Sequence, residues 1–149
     1  MLPTPAVYSV PCLLPLPRIG SAESGFTVSV ASAGLLPFTV ARSYWIYHTP
    51  NQVQRGHHAH HTLQQLLVAV GGRLDITLET PAGQQQHFVL DRPDFGLYLP
   101  GLYWRTVRFH EQAVLLCLVS EPYSEASYIR DYATFRALAP TATLIPQPR

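Results

Sequence analysis

Arg55-Gly56-His57-His58-Ala59-His60-His61 holds four of the chain's seven histidines within five positions. Side chains two apart on a β-strand share a face. Read as a strand, the stretch turns His58 and His60 to one side, and His57, Ala59 and His61 to the other. Two imidazoles on one strand face can hold a metal or move protons near neutral pH. The choice between these chemistries decides the function, and the strand itself points to the fold.

Working outward, short β-type runs recur with turn residues between them. The expected strands are Phe26–Val30, Thr39–Tyr47, His57–His60, Gln65–Val70, Arg73–Glu79, Gln85–Leu90, Gly96–Leu99, Tyr103–Phe109 and Ala113–Val119. Gly71-Gly72 and Glu111-Gln112 are read as turns, with Gly71 closing a hairpin behind the histidine strand. Such spacing predicts an all-β sandwich or barrel. Only the end reads helical: Ser127 caps a segment in which Tyr128, Ile129, Tyr132, Phe135 and Leu138 form one apolar stripe. Arg130 and Asp131 near its start are explained by an ion pair or a cap. Residues 1–20, with five prolines among positions 3–17, form an arm barred from regular helix and from a central strand. Residues 21–139 form the globular domain and 140–149 a loose tail.

The 149 residues suffice for one domain with a substantial core. Hydrophobic content is 47%, charged content 13% and net charge +1, so there is no basic field for nucleic acid or an anionic membrane. All ten basic residues are arginine. Schiff-base and lysine-base mechanisms are therefore excluded, and anions must be held by arginine, backbone amides or histidine. Cys117 lies in an apolar run and reads as a buried thiol, so no disulfide with Cys12 is expected. No apolar run approaches the ~20 residues of a membrane span, and the N-terminus makes a poor signal peptide. A cytoplasmic protein is expected.

A His-x-His pair followed by an acid is how metal-binding cupin barrels supply most of their ligands. Here the acid position holds Gln64 or Gln65, which are neutral and weak ligands. Where a further histidine would be expected, the chain reads Tyr103-Trp104-Arg105, and arginine repels a cation. No metal is expected, and proton transfer by His58 and His60 is the surviving chemistry. His57 and His61 are read as bystanders.

The order Tyr44-Trp45-Ile46-Tyr47, Arg55 to His60, Gln65-Leu66-Leu67, Gly96-Leu97-Tyr98, Trp104-Arg105 and Tyr128-Ile129-Arg130-Asp131-Tyr132 resembles the cupin-type dTDP-sugar 3,4-ketoisomerases, the WxcM-like group. The resemblance runs from about Leu36 to Leu138. It implies a cupin jelly-roll barrel with one short C-terminal helix, a homodimer exchanging N-terminal strands, and no cofactor or metal. The implied substrate is a dTDP-4-keto-6-deoxyhexose, whose keto group moves between carbons 4 and 3 through an enediolate. The chain differs from the usual family pattern in having Glu23-Ser24-Gly25 for Asp-x-Arg-Gly, His61 for a lysine, Gln64-Gln65 for Glu-Gln, and Pro100-Gly101 for Gly-Pro.

For that reaction His60 is assigned as principal base and His58 as its relay or second acid, with the reverse left open. Tyr47 is a candidate donor to the sugar oxygens, with ring packing as the alternative. Arg55 and Arg105 are candidates to meet the diphosphate or the sugar. Tyr98 and Tyr103 are candidates to stack on thymine or line the sugar pocket, with core packing as the alternative. Two other readings are a non-catalytic cupin that binds a dTDP-sugar and a metal-dependent cupin oxygenase.

Overall fold

Two long strands organise the chain, whose computed structural model describes residues 7–140. Strand β6 (Gln65–Glu79) and strand β9 (Trp104–Val119) pair antiparallel from Gln65 opposite Val119 to Glu79 opposite Trp104. Each was expected as two strands separated by a turn. Gly71-Gly72 and Glu111-Gln112 instead form facing irregularities within continuous strands. Gly72 has φ 68°, and Glu111 and Gln112 have φ 56° and 55°. Bulges and tight hairpins both call for left-handed residues, so the local signal is the same. What separates them is pairing: both halves of β6 find β9 rather than each other.

The break also moves the inward side of β6 from odd to even positions. Leu67 and Ala69 before it, and Leu74, Ile76 and Leu78 after it, all enter one inner core. Around this pair stand β8 (Phe95–Leu99) beside the first half of β6 and β7 (Gln85–Leu90) beside the second. Beside β9 stand β5 (Gln54–His60) and β4 (Arg42–Ile46). Inner side chains from β6, β8 and β9 meet in that core, with Phe109, Leu115 and Cys117 from β9 at most 1% exposed.

The outer face of the sheet carries a second cluster. Leu66, Val68 and Tyr98 are covered there by Leu14, Leu16, Leu36 and Phe38. Burial on both faces explains why Leu66-Leu67-Val68-Ala69 is a continuous apolar run rather than an alternating one. The proline-rich lead-in does much of this covering. Its Cys12–Pro15 is β1, an edge strand on β8, where proline is tolerated. Arg18–Ser21 (β2) and Gly25–Val28 (β3) form a separate hairpin. A turn over Ser32–Leu35 leads on to β4, which is shorter than the expected Thr39–Tyr47. Residues 1–6 of the arm, and the expected loose tail beyond Pro140, lie outside the described residues.

At the C-terminus the helix begins later than the stripe predicts. Tyr128–Ile129 is a strand, β10, with Tyr128 opposite His60 and Ile129 opposite Ala59. Pairing with β5 outweighs weak local propensity. The helix spans Tyr132–Arg136. Its cap is Asp131, which accepts from Thr134 N at 2.8 Å and from Thr134 Oγ1 at 2.6 Å. Ser127 instead closes a 3₁₀ turn. Arg130 pairs with Glu125. Phe135 and Ile129 then pack on Ala59 and Trp104. This places Tyr128 on the histidine strand.

Candidate active site

Strand β5 does not run straight through the histidines. Gly56 has φ 98° and His57 φ 55°, and pairing with β9 shifts register between Gly56 and His58. A Cβ at position 56 would lie 2.5 Å from the carbonyl oxygen of Arg105, so only glycine lets the strands approach there. Beyond this bulge His58 and His60 are buried, 9% and 4% exposed, while His57 and His61 face solvent. The two buried rings stand edge to face, 5.0 Å between centroids. Tyr128 packs on both, at 5.1 Å from His58 and 4.2 Å from His60.

A cleft of about 270 Å³ opens beside them. Its lining comprises Tyr44 and Ile46 of β4, Arg55, Gly56 and His58 of β5, Arg105, Val107, Phe109 and Leu115 of β9, and Tyr128 and Arg130 from the C-terminal segment. His58 therefore meets the cleft, and His60 lies against His58 and Tyr128 without lining it. His58 Nδ1 is 3.0 Å from the carbonyl oxygen of Gly56. A carbonyl only accepts, so Nδ1 carries the proton and Nε2 the lone pair. That Nε2 is buried without a partner among the described residues, as are both ring nitrogens of His60.

Electrostatics keep both rings neutral. Burial pulls His58 down to about 4 and His60 to about 3, and the Arg105 guanidinium pushes in the same direction. Arg105 is 4% exposed, donating to Gln65 Oε1 at 2.7 Å and to Tyr44 Oη at 3.4 Å. Burial pushes Tyr44 up to about 12 against the opposing pull of Arg105. Arg130 lies over the Tyr128 ring at 4.1 Å and is paired with Glu125.

Of the residues singled out from the sequence, the cleft brings together His58, Arg55 and Arg105, with His60 in contact through its ring. The others lie elsewhere. Tyr47 is 58% exposed and packs on His48 beside Trp45, in a shallow depression separate from the histidines. Tyr98 is buried in the outer cluster against Tyr8 and Phe38, its hydroxyl donating to Gln64 Oε1 at 2.8 Å. Tyr103 packs half-buried against the inner core. Tyr44, Tyr128 and Arg130 were not singled out. Tyr44 faces inward on β4, where Trp45 is exposed, and Tyr128 and Arg130 lie in the segment whose apolar stripe predicts a helix.

Among the described residues no three His, Cys, Asp or Glu side chains are grouped to hold a metal. No helix of the described residues is long and apolar enough to cross a membrane.

Comparison with known proteins gives a consistent set of relatives. The family described as FdtA, WxcM-like, C-terminal, matches residues 11–140. The TDP-4-oxo-6-deoxy-alpha-D-glucose-3,4-oxoisomerase of Aneurinibacillus thermoaerophilus is 34% identical over 113 residues, covering 75% of this chain and 81% of the relative. The sugar 3,4-ketoisomerase QdtA of Thermoanaerobacterium thermosaccharolyticum, solved with TDP, has a TM-score of 0.80 at 31% identity, covering 85% of this chain and 92% of its own. A histidine-to-asparagine mutant of QdtA was solved with TDP-4-keto-6-deoxyglucose. The TDP-quinovose 3,4-ketoisomerase WlaRB of Campylobacter jejuni has a TM-score of 0.79 at 34% identity, covering 85% of this chain and 97% of its own.

Proposed function

The chain belongs to the WxcM-like FdtA family, and on that premise we propose that it is a sugar-nucleotide 3,4-ketoisomerase, moving the keto group of a TDP-linked 4-keto-6-deoxyhexose from carbon 4 to carbon 3. Its β-rich architecture with one short C-terminal helix fits the cupin-like fold of these relatives. The observation that carries the reading is His58: its Nδ1 is held by Gly56 and its Nε2 is left as an unpartnered base beside the cleft.

In this mechanism His58 takes the proton from carbon 3, the electrons move toward the carbon 4 carbonyl, and an enediolate forms. Proton transfer between the two oxygens and return of a proton to carbon 4 complete the isomerisation. The reaction needs no net oxidant and no metal. His60, in contact with His58, is the relay or second acid. This reverses the order of roles assigned from sequence, because His58 and not His60 lines the cleft. Arg105 supplies positive charge for the enediolate, where a preorganised donor in a dry site is most effective. It also opposes any cation at the histidine pair. Arg55 and Arg130, both exposed, are suited to the diphosphate, arginine being able to grip it with a planar fork.

The same reading includes a homodimer with exchanged N-terminal strands. Exchange would place β1 in its Cys12-to-Pro15 register on a second copy's β8. Ile19 and Phe26 of the β2–β3 hairpin, 72% and 52% exposed, are apolar surface that such a partner would cover. Sedimentation equilibrium should give a dimer that Phe26→Asp weakens.

The activity is tested by incubating the protein with TDP-4-keto-6-deoxyglucose in deuterated water and following the sugar by NMR. Deuterium is expected at carbon 3 or carbon 4, together with a 3-keto product, and both should be lost in His58→Asn. Binding of TDP without exchange would leave only a non-catalytic sugar-nucleotide binder. Activity dependent on stoichiometric iron or zinc would overturn the metal-free mechanism.

A further inference from the structure

Arg105 is a charge buried without a counter-charge. It is 4% exposed, and it takes part in none of the ion pairs among the described residues. A guanidinium removed from water normally takes a carboxylate, because desolvation of the bare ion costs several kcal/mol. Here the facing group is Gln65, itself 1% exposed, whose Oε1 accepts from Arg105 Nη1 at 2.7 Å. Glutamine has the shape and reach of glutamate but adds no negative charge. Its backbone is fixed between two neighbours, with Gln65 opposite Leu99 on one side and Val119 on the other. The amide can therefore hold the guanidinium in place.

We propose that Gln65 is a positioning residue whose neutrality matters: it orients Arg105 by a hydrogen bond while leaving its positive charge available to the enediolate. This rests on the isomerase reading above. Without substrate, the uncompensated guanidinium adds to burial in keeping the neighbouring imidazoles deprotonated and ready to accept. When the proton leaves carbon 3, the enediolate neutralises Arg105. The same event removes the part of the penalty on forming an imidazolium at His58 that Arg105 imposes. Proton abstraction and charge compensation are thus linked through one side chain. A carboxylate at position 65 would satisfy Arg105 permanently and remove that link.

The other charged and titratable groups around the pair do not take over this task. Arg130 is paired with Glu125, and Arg42 lies over the Tyr44 ring at 5.0 Å. Arg130 acts on both imidazoles, and Arg42 on His60, in the same direction as Arg105 and behind it in size. Arg55 on the cleft wall, His57 next to His58, and Tyr44, Tyr128 and Cys117 complete the set. Glu125 is the carboxylate of this group, and it is committed to Arg130.

The test compares Gln65→Glu and Gln65→Leu with the wild type, using deuterium exchange and turnover of TDP-4-keto-6-deoxyglucose, TDP affinity, and NMR titration of the His58 and His60 imidazoles. Gln65→Glu should raise the imidazole midpoints by a pH unit or more and lower kcat at least tenfold, with KM and TDP affinity within threefold. Gln65→Leu should lower kcat similarly while leaving the imidazole midpoints in place, since Arg105 loses its anchor but not its charge. Unmoved midpoints in Gln65→Glu, or kcat within twofold of wild type in either variant, would overturn the proposal. A wild-type protein that binds TDP but exchanges no deuterium would sink the isomerase reading instead. If Gln65→Glu does not fold, Arg105→Gln removes the charge from the other side of the pair and should likewise raise the imidazole midpoints; unmoved midpoints there would overturn the proposal.

Discussion

A base that works at neutral pH must be unprotonated before the substrate arrives, and the two imidazoles meet that condition with a wide margin. Burial first, and Arg105 second, lower His58 to about 4 and His60 to about 3. The acid limb of kcat/KM, which reports the free enzyme, should therefore fall near pH 4, not near the 6.5 of an ordinary histidine. A limb at pH 6.5 would show that His58 is hydrated in the working enzyme. Replacing His58 by Asn should cost about 10²–10⁴ in kcat, the usual contribution of a positioned acid or base. Tyr47→Phe should leave kcat and KM within about twofold, because its side chain stands on the outer surface. Here sequence reading met its limit at a single step of parity. On β4, Trp45 faces out and Tyr44 and Ile46 face in, and Tyr47 follows the outward series. The histidine pair was legible because His-Ala-His alternates cleanly. Which tyrosine faces it depends on where β4 starts and how it pairs with β9, and no local feature of Tyr44-Trp45-Ile46-Tyr47 records that.

At the scale of elements, the positions of the strands were largely legible but their continuity was not. Gly71-Gly72 and Glu111-Gln112 looked like hairpin turns because both contain residues that bend the chain. In the fold they oppose each other, so β6 and β9 bend together and one apolar core is kept across the break. Gly72 carries the constraint. Its φ is 68°, and a Cβ there would fall 2.5 Å from Ala113 Cα, whereas a Cβ on Gly71 meets nothing within 4 Å. Gly72→Ala should therefore destabilise by about 2–4 kcal/mol, combining a strained backbone with a clash that only backbone movement relieves. Gly71→Ala should stay within about 1 kcal/mol of wild type. Urea denaturation of the two variants measures the difference, and equal midpoints would show that the bulge is not fixed as described. The C-terminal element failed to be legible for a different reason. Tyr128 and Ile129 continue a helical stripe in sequence, yet Asp131 caps the helix after them, and β5 offers them a strand partner. A long-range partner decided the state of two residues that local pattern assigned the other way. That is also why Tyr128 and Arg130 were missed as walls of the cleft.

For the molecule as a whole, the neutral buried pair makes folding stability depend on pH well above the carboxylate range. In the unfolded chain both imidazoles take up protons near 6.5, but in the fold they resist until about 4 and 3. Between those values the unfolded state binds more protons, so stability falls as pH is lowered from about 6.5. The slope approaches about 1.4 kcal/mol per pH unit for each histidine. Carboxylates join only later. Glu79, hydrogen-bonded to Tyr132, and Asp94, bonded to Arg92, are held below their ordinary 4.5 and 3.8. Their stabilisation is present above those values and is lost as pH falls further. Acid should therefore weaken the fold in two stages, an upper one set by His58 and His60 and a lower one set by the ion-paired carboxylates. Urea denaturation at intervals from pH 7.5 to about 2.5 would resolve them. His60→Leu, which removes one titrating group, should roughly halve the slope between pH 6.5 and 5 and leave the contribution of the carboxylates below that interval unchanged. A wild-type stability that is flat across the upper interval would mean that the imidazoles are not held neutral by the fold. The role of Arg105 as an uncompensated charge would then lose its thermodynamic support.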